Sequence, residues 1–334
     1  MATIAFVSVE PWHKDYLKQK LAKHKVVFLD DGFTPAGLAK AKDADVLAVF
    51  IYSKVTEEVL AKLPKLKLVT TMSTGFDHID LAACAKKGIA VCNVPAYGDN
   101  TVAEHAFALI LTVTRKIVES VERTRKGHFE FEGLLGIDLK GKTLGVVGTG
   151  RIGRNVAHIG GEGFGMKVLA FDVMKNEDWA KECGVQYVPL EKLYAESDII
   201  TFHVPLMKET TRMLNRKNIA KVKKGAIIIN TARGAVIETQ ALVDGLKKGI
   251  LSGVGLDVLE NECAMKEAHA TLPDAKEVCL PKEVEAEMEL LKNPRAYVTP
   301  HSAFYSREAV QRILDTTTDN IAAFLAKKPA NLVK

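Results

Sequence analysis

The first hundred residues alternate short runs of β-branched and other apolar residues with polar, amphipathic stretches. The apolar runs have the length of strands, and the stretches between them are mostly typical of helices. Because parallel strands need crossover connections, this alternation predicts an open α/β sheet with helices on both faces. The predicted strands cover residues 4–8, 26–29, 46–51, 68–72 and 90–93.

A second α/β series begins after a long helical pattern at residues 101 to about 125. This pattern contains no glycine or proline and opens with Thr-Val-Ala-Glu, a candidate capping box. The series that follows predicts six strands with intervening helices, which is the size of a complete dinucleotide-binding domain. These strands cover residues 143–147, 167–171, 199–202, 226–230, 253–257 and 296–299.

At 334 residues, the chain exceeds the size at which single hydrophobic cores stop growing, so we expect two domains. The residues after Pro300 form mostly one predicted helix, 306–327, which is too little for a third domain. The simplest topology returns this helix to the first domain. We therefore predict a first domain of residues 1–100 plus 300–334, with a second domain of residues 101–299 inserted into it.

Composition excludes several classes of protein. Hydrophobic residues make up 47% and charged residues 26%. The net charge of +5 is small for this length and the 46 basic residues are spread along the chain, which does not favour nucleic acid binding. The start of the chain lacks the pattern of a signal peptide, and no apolar run approaches the length of a membrane span. The five cysteines are odd in number and never spaced C-x-x-C, so we expect no disulfide framework, no zinc site and a cytoplasmic location.

A glycine fingerprint lies where the second series begins. Gly148, Gly150 and Gly153 form G-x-G-x-x-G directly after an apolar strand, and Asp172 ends the next strand. In such units the glycines permit a tight turn, a close backbone approach to a pyrophosphate and helix packing, while the acid binds the adenosine ribose. Because Asp172 would repel a 2′-phosphate, the sequence favours NAD over NADP, although the nearby Lys175 weakens that inference.

Three charged residues follow strands of the second series, at the edge where doubly wound sheets bind ligands. Arg233 follows the fourth predicted strand, Glu262 lies five residues past Asp257, and His301 follows Pro300. Hydride transfer to a 2-oxo acid needs a guanidinium for the carboxylate and an acid that protonates the carbonyl oxygen. A carboxylate beside a histidine favours the imidazolium, so Arg, Glu and His could supply these roles together. Each residue alone also has a structural explanation, as a surface ion pair, an acidic loop residue or a turn cap. The remaining histidines show no spacing typical of a metal site.

These motifs together resemble the D-isomer-specific 2-hydroxyacid dehydrogenase family, and within it the D-lactate dehydrogenases most. The resemblance covers nearly the whole chain. Its markers are Ser73-Thr-Gly-Phe-Asp-His-Ile-Asp80, Asn93-Val-Pro-Ala-Tyr97, Val102-Ala-Glu-His105, the fingerprint with Arg151-Ile152, His203-Val-Pro-Leu206, Asn230-Thr-Ala-Arg-Gly234, Asp257-Val-Leu-Glu-Asn-Glu262 and Thr299-Pro-His-Ser-Ala-Phe-Tyr305.

The resemblance implies a Rossmann NAD-binding domain inserted into a flavodoxin-like substrate domain, both doubly wound parallel sheets, with a hinge that closes the cleft. It implies that Arg233 binds the substrate carboxylate and carbonyl, that His301 donates the proton, and that Glu262 pairs with His301. The backbone of Thr74 and Gly75 would hold the substrate carboxylate, with Tyr97 and Tyr305 nearby. The residues implied to line the NAD site, besides the three glycines, are Arg151, Ile152, Asp172, Val204, Pro205, Thr210, Thr231, Ala232 and Asp257. Family members are usually homodimers through the cofactor domain.

The sequence departs from the family pattern in two places: at Tyr97-Gly98-Asp99-Asn100, and in residues 263–291, which match no pattern of the family. Several functions stay open beside a D-lactate dehydrogenase that interconverts pyruvate and D-lactate. Within the enzymes these are a hydroxypyruvate or glyoxylate reductase and a reductase of bulkier 2-oxo acids. The aromatic residues Phe50, Tyr52, Phe304 and Tyr305 suggest an apolar pocket for a small side chain. Outside the enzymes, NAD-sensing corepressors share the fold, but they typically carry disordered tails that are nearly absent here.

Overall fold

The computed structural model describes residues 1–7, 9–262 and 284–333. The chain divides into two compact units, Met1–Tyr97 with Ser306–Lys334, and Gly98–Tyr305. The domain boundaries predicted at residues 100 and 300 differ from these bounds by a few residues. In the described part of the chain, no helix combines the length and the apolar character that a membrane span requires.

The first unit contains a five-stranded sheet in which every strand pair is parallel. The strands are β1 (Thr3–Val7), β2 (Lys25–Leu29), β3 (Val46–Val49), β4 (Leu68–Thr71) and β5 (Ala90–Cys92), in the order β2-β1-β3-β4-β5. The helices are α1 (Pro11–Lys20), α2 (Pro35–Ala41), α3 (Glu57–Ala61), α4 (Leu81–Lys86) and, from the end of the chain, Arg307–Leu325. This strand order is that of flavodoxin-like folds, as predicted.

The second unit contains a seven-stranded parallel sheet with the order β12-β11-β10-β9-β6-β7-β8. The strands are β6 (Thr143–Val147), β7 (Lys167–Phe171), β8 (Gln186–Tyr187), β9 (Ile199–Phe202), β10 (Ala226–Asn230), β11 (Leu251–Leu256) and β12 (Ala296–Val298). The helices are α5 (Asp99–Arg115), α6 (Ile117–Arg125), α7 (Arg151–His158), α8 (Glu177–Glu182), α9 (Leu190–Glu196), α10 (Thr239–Lys247) and α11 (Glu285–Leu291); Arg307–Leu325 is then α12. β7 and β8 follow β6 toward one edge of the sheet, whereas β9 to β12 follow it toward the other. The strand order therefore reverses between β6 and β9, and this is the Rossmann switch point where dinucleotides bind.

Successive residues of β10 show how the inserted sheet is buried on both faces. Ile228 belongs to one hydrophobic cluster, whereas Ile227 and Ile229 belong to another. Side chains alternate across a strand, so the two clusters lie on opposite faces of the sheet. Burial on both faces explains why the strands of this unit read as continuous apolar runs.

One helix predicted for residues 101–125 is in fact two helices, α5 and α6. Lys116 stands between them with a φ of 49°, in the left-handed region that ends helices. Its ammonium donates to the carbonyl of Gly133, and the N–H of Ile137 donates to the carbonyl of Thr114. The following loop therefore takes over hydrogen bonds at the end of α5, a tertiary effect that helical periodicity does not reveal. The candidate capping box was also wrong, because α5 begins at Asp99 after Gly98, so Thr101 already lies inside the helix.

The other predicted elements are close to those observed. The strands agree to within two residues at either end, with Ser8 outside the described residues, and the last helix begins where the Ser306 hydroxyl caps the N–H of Ala309. One strand was missed. β8 has only two residues, Gln186 and Tyr187, at the edge of the sheet, and so short a segment carries no periodicity.

Candidate active site

The glycine loop between β6 and α7 has a geometry that other residues cannot adopt. Gly148 has a φ of 94°, and a Cβ there would lie 2.8 Å from the backbone of His203. A Cβ on Gly153 would lie 1.9 Å from the carbonyl oxygen of Gly148. Two of the three glycines are therefore required by the turn and by the close packing of the helix against it.

Gly150 differs from the other two, because among the described residues no atom beyond its own helix and chain neighbours lies within 4 Å of a Cβ built on it. It caps the N-terminus of α7 without a side-chain hydrogen bond. The open space therefore lies where the first N–H groups of a helix attract a negatively charged group. A pyrophosphate fits this place, with Arg151 and Ile152 in the first turn of the helix.

Asp172 stands at the end of β7 and is held by three donors. Its carboxylate accepts from the N–H of Thr149 at 2.6 Å, from the Thr149 hydroxyl at 3.1 Å and from the N–H of Met174 at 2.8 Å. The Thr149 hydroxyl in turn lies 2.7 Å from the hydroxyl of Tyr187. The glycine loop and the acid are thus fixed to each other, and the acid stands beside the loop that would bind the dinucleotide.

The loop after β9 approaches the glycines from the other side of the switch point. A Cβ on Gly148 would also lie 2.8 Å from a methyl carbon of Val204. The Thr210 hydroxyl donates to the carbonyl of Pro205 at 2.6 Å and so closes the loop. Burial lowers the pKa of His203 to about 3, so its ring is neutral where it meets the Thr201 hydroxyl at 2.8 Å.

Arg233 begins the tight turn after β10, and Asn230 shapes that turn. The buried Asn230 amide donates to the carbonyl of Arg233 and accepts from the N–H of Ala232, both at 3.0 Å. The Arg233 guanidinium donates to the carbonyl of Ala232 at 2.8 Å. The hydroxyl of Thr231 is buried and has no hydrogen-bond partner among the described residues, as expected for a group that meets a ligand.

The Arg233 turn is packed against the loop that carries Glu262. A Cβ on Gly234 would lie 2.0 Å from the carbonyl of Leu259, so only glycine permits this approach. The carboxylate of Glu260 accepts from Arg212 at 2.6 Å and from the N–H of Thr239 at 3.2 Å. These contacts hold the two loops of the inserted unit together.

Glu262 and His301 form a pair. The Nδ1 atom of His301 lies 3.1 Å from Oε2 of Glu262, and each side chain is 19% exposed. The imidazole thus meets the carboxylate through Nδ1, and Nε2 is its second ring nitrogen that can carry a proton. The sequence-based pairing of these two residues thus corresponds to a contact in the structure.

Asp257 holds the turn on which His301 stands. The buried carboxylate accepts from the N–H groups of Ser302 and Ala303, each at 2.8 Å, and from the Thr299 hydroxyl at 2.5 Å. His301 itself has a φ of 55°, which costs a non-glycine residue roughly 1–2 kcal/mol. The resemblance implies a place for Asp257 in the NAD site, and in the structure its carboxylate accepts hydrogen bonds within the His301 turn.

His105 extends this network from α5. Its Nε2 lies 3.0 Å from the Thr299 hydroxyl and 3.5 Å from the Asp257 carboxylate. Because the hydroxyl proton goes to Asp257, Nε2 donates to Thr299. Sequence reasoning gave no role to His105 or Asn230, although both stand inside motifs that carried the resemblance.

In the first unit, Thr74 and Gly75 follow β4 in a turn whose polar groups are largely directed inward. The Ser73 hydroxyl donates to the carbonyl of Gly75 at 2.7 Å, and the Thr74 hydroxyl donates to that of Val94 at 2.8 Å. No residue of the described ranges accepts a hydrogen bond from the N–H of Thr74 or Gly75. Adjacent unpaired N–H groups of this kind bind anions.

The structure places four of the aromatic residues named from the sequence as follows. Phe50 and Tyr52 follow β3 in a T-shaped contact at 6.3 Å, and Tyr52 is 44% exposed. Tyr97 belongs to the first unit, where Arg312 donates to its carbonyl at 2.6 Å, and Tyr305 belongs to the second and is 52% exposed.

A doubly wound inserted unit, a glycine loop with its acid, and a carboxylate–histidine pair together define a dinucleotide-dependent oxidoreductase. The model of the D-isomer specific 2-hydroxyacid dehydrogenase family, NAD binding domain, matches residues 107–303. The chain belongs to this family, as the motifs had predicted, and it is an NAD-dependent oxidoreductase.

Three relatives illustrate the range of the family. The crystal structure of the D-lactate dehydrogenase from Aquifex aeolicus, complexed with NAD and lactic acid, superposes with a TM-score of 0.87 at 40% identity and covers 97% of this chain and 96% of that one. The glyoxylate reductase of Korarchaeum cryptofilum is 37% identical over 89% of this chain and 84% of its own length. The aromatic 2-oxoacid reductase of Clostridium sporogenes is 38% identical over 91% of this chain and 90% of its own.

Proposed function

We propose that the protein is a D-lactate dehydrogenase that interconverts pyruvate and D-lactate. The observation that carries the proposal is the Glu262–His301 pair at 3.1 Å, held beside the loop of Arg233 by the contacts of Gly234 and Glu260. A solved relative that binds NAD and lactic acid supports the choice of substrate. The D configuration of the product rests on membership of the family.

In the proposed reduction, His301 acts as the general acid. Its Nε2 donates a proton to the carbonyl oxygen of the 2-oxo acid, and the negative charge of Glu262 stabilises the imidazolium until that moment. When bound, NADH supplies the hydride that reduces the carbonyl carbon. In the reverse direction His301 accepts the hydroxyl proton, and Glu262 then stabilises the imidazolium that forms.

We assign substrate binding to two sets of groups. The Arg233 guanidinium, with its planar fork of donors, is suited to the carboxylate and the carbonyl of a 2-oxo acid. The N–H groups of Thr74 and Gly75 are suited to the same carboxylate, since nothing in the described part of the chain occupies them. Tyr97 and Tyr305 are proposed as neighbours of the bound acid.

We assign cofactor binding to the switch point of the inserted sheet. The pyrophosphate would lie at the N-terminus of α7, and Asp172 would accept from the adenosine ribose hydroxyls. The unpartnered Thr231 hydroxyl and the loop after β9 would line the site farther along. The residues assigned to the cofactor are Gly148, Gly150, Arg151, Ile152, Gly153, Asp172, Val204, Pro205, Thr210, Thr231, Ala232 and Asp257, the last through the turn that it holds.

The side chain of the 2-oxo acid is the part of the proposal for which alternatives exist. Relatives include a glyoxylate reductase and an aromatic 2-oxoacid reductase. The aromatic character of Phe50, Tyr52, Phe304 and Tyr305 favours a small apolar substituent on the substrate. One methylene of the substrate is worth only about 1–3 kcal/mol in an apolar pocket, so small differences in the shape of the pocket decide which of these acids is preferred.

A panel of 2-oxo acids tests the activity and its substrate together. Steady oxidation of NADH is expected with pyruvate at a higher kcat/KM than with hydroxypyruvate, glyoxylate, 2-oxobutyrate, oxaloacetate or phenylpyruvate. NADH binding without turnover of any of these acids would instead favour a sensor of NAD.

The role of Arg233 predicts a loss of activity in Arg233→Lys. This substitution should lower kcat/KM for pyruvate roughly ten- to a hundredfold, because one charged hydrogen bond is worth about 1.5–3 kcal/mol. Unchanged kinetics in the variant would contradict a role for Arg233 in substrate binding.

The pairing of Glu262 with His301 predicts a loss of activity when the carboxylate is removed. Glu262→Gln nearly keeps the shape of the side chain but replaces the charged partner of His301 Nδ1 by a neutral amide. We expect kcat/KM for pyruvate to fall roughly tenfold or more, because a hydrogen bond to a charged group is worth about 1.5–3 kcal/mol. Steady-state kinetics measure this, and an unaltered kcat/KM would contradict the pairing.

The role of Asp172 predicts a change in cofactor preference. Asp172→Ala removes the carboxylate that would accept from ribose hydroxyls and would repel a 2′-phosphate. The ratio of kcat/KM for NADH to that for NADPH should fall by about tenfold or more, since one charged hydrogen bond and one repulsion are lost. A ratio unaltered by the substitution would exclude Asp172 from the ribose site.

We propose further that two copies of the chain associate through α6 and the loop after it. Side chains on this surface are 40–89% exposed although they are apolar: Ile117, Val118, Val121, Phe129, Phe131 and Leu135. The loop is ordered from within, since Arg123 donates to the carbonyls of Glu130 and Glu132 at 2.7 and 2.8 Å. A preformed apolar surface of this kind is typical of an interface between subunits.

We also propose a cytoplasmic location for the protein. The free thiols at Cys84, Cys92 and Cys183 accord with it.

Sedimentation equilibrium tests the dimer. We expect a mass of twice 36.5 kDa for the protein and a monomer mass for Phe131→Asp, because an unpaired charge in an apolar interface is strongly unfavourable. Val173→Asp, at another exposed apolar position, is the matched control and should leave the dimer intact. A monomer mass for the unmodified protein would overturn the proposal.

A further inference from the structure

Asn93 stands at the end of β5 and contacts the turn that follows β4. Its side-chain amide donates to the carbonyl oxygen of Thr74 at 2.8 Å. The peptide group between Thr74 and Gly75 is planar and trans, so its carbonyl and its N–H point in opposite directions. When Asn93 holds the carbonyl of Thr74, it therefore also directs the N–H of Gly75 away from itself.

Two further asparagines hold Asn93. Its backbone N–H donates to the carbonyl of Asn331 at 3.1 Å, and its carbonyl accepts from the amide of Asn320 at 2.8 Å. Asn331 donates to the side-chain oxygen of Asn320, also at 2.8 Å. Asn320 lies on α12 and is fully buried, so its two hydrogen bonds are partly shielded from water.

Residues 331–333 run along β5 in the antiparallel sense. Leu332 forms a bridge with Cys92, and the N–H of Val333 donates to the carbonyl of Val91 at 2.8 Å. Asn331 has a φ of 52°, a conformation that asparagine adopts more readily than most residues. A segment more than two hundred residues away in sequence is thereby connected to the turn after β4.

We propose that Asn93 is a positioning residue for substrate binding, and that Asn331 and Asn320 keep it in place. Asn93 fixes the orientation of the Gly75 N–H, which together with that of Thr74 receives the carboxylate of the 2-oxo acid. The inference rests on the proposed function for the carboxylate, but the placement of the turn can be measured without it.

Asn93→Ala and Asn93→Asp test the first step. Aspartate has nearly the shape of asparagine but no N–H to donate, so both variants lose the hydrogen bond to Thr74. We expect amide hydrogen exchange of residues 73–77 to become faster and KM for pyruvate to rise about tenfold, the effect of one misplaced hydrogen bond. The dissociation constant of NADH, measured by fluorescence, should remain unchanged, because the glycine loop lies in the other unit.

Asn331→Ala tests the second step, and Leu332→Ala is its matched control. Both residues are exposed and adjacent, but only the Asn331 side chain belongs to the network. We expect Asn331→Ala to change exchange and KM in the same direction as Asn93→Ala, by a smaller factor, and Leu332→Ala to change neither. Asn320→Ala should change exchange and KM in the same direction. If the loss of this buried side chain prevents Asn320→Ala from folding, Asn331→Ala still tests the step.

The outcomes separate this inference from the proposed function. Unaltered exchange of residues 73–77 in Asn93→Ala would overturn the positioning role. Altered exchange with unaltered KM would uphold the positioning and overturn the carboxylate site at Thr74 and Gly75. An effect of Asn93→Ala without any effect of Asn331→Ala would remove the segment 331–333 from the network.

Discussion

The arrangement of the active-site loops in the inserted unit depends on the hydrogen bonds that the buried carboxylate of Asp257 accepts. A charge with 1% exposure needs several donors, and Asp257 obtains them from Thr299, Ser302 and Ala303. These donors surround His301, which adopts a left-handed backbone that it would not hold alone. The hydrogen bonds therefore stabilise the strained residue, and the imidazole reaches Glu262 because its backbone is fixed.

Both sheets use the same architectural rule with different chemistry. In parallel sheets the loops at the carboxyl ends of the strands come together at one edge, so residues far apart in sequence meet there. In the inserted sheet this edge gathers the glycine loop, Asp172, Arg233 and Asp257, each after a different strand. In the first sheet it gathers the turn at Thr74. The chemistry depends on these loops, and the strands supply a rigid frame for them.

The sequence predicts those features that depend on one segment of the chain, and it does not predict those that depend on contacts between distant segments. The buried strands read as continuous apolar runs, and charged residues just beyond them, such as Arg233 and His301, were identified as candidates by position. The break at Lys116 was missed because its hydrogen bond to the carbonyl of Gly133 is a tertiary contact, which helical periodicity does not reveal. The contacts of Asp257 with the His301 turn and of Asn93 with residues 331–333 join distant segments, and no periodicity in one sequence encodes them.

The type of side chain that anchors each turn follows from the backbone groups with which it pairs. At the His301 turn, backbone N–H groups need an acceptor, and a carboxylate supplies two oxygens for them. At the Thr74 turn the backbone group that is held is a carbonyl, so the anchor has to be a donor; Asn93 donates its amide N–H, and an aspartate could not. At the Arg233 turn, Asn230 both donates and accepts, which requires an amide. Asparagine and aspartate are similar in shape, and the polarity of the backbone group decides between them at each turn.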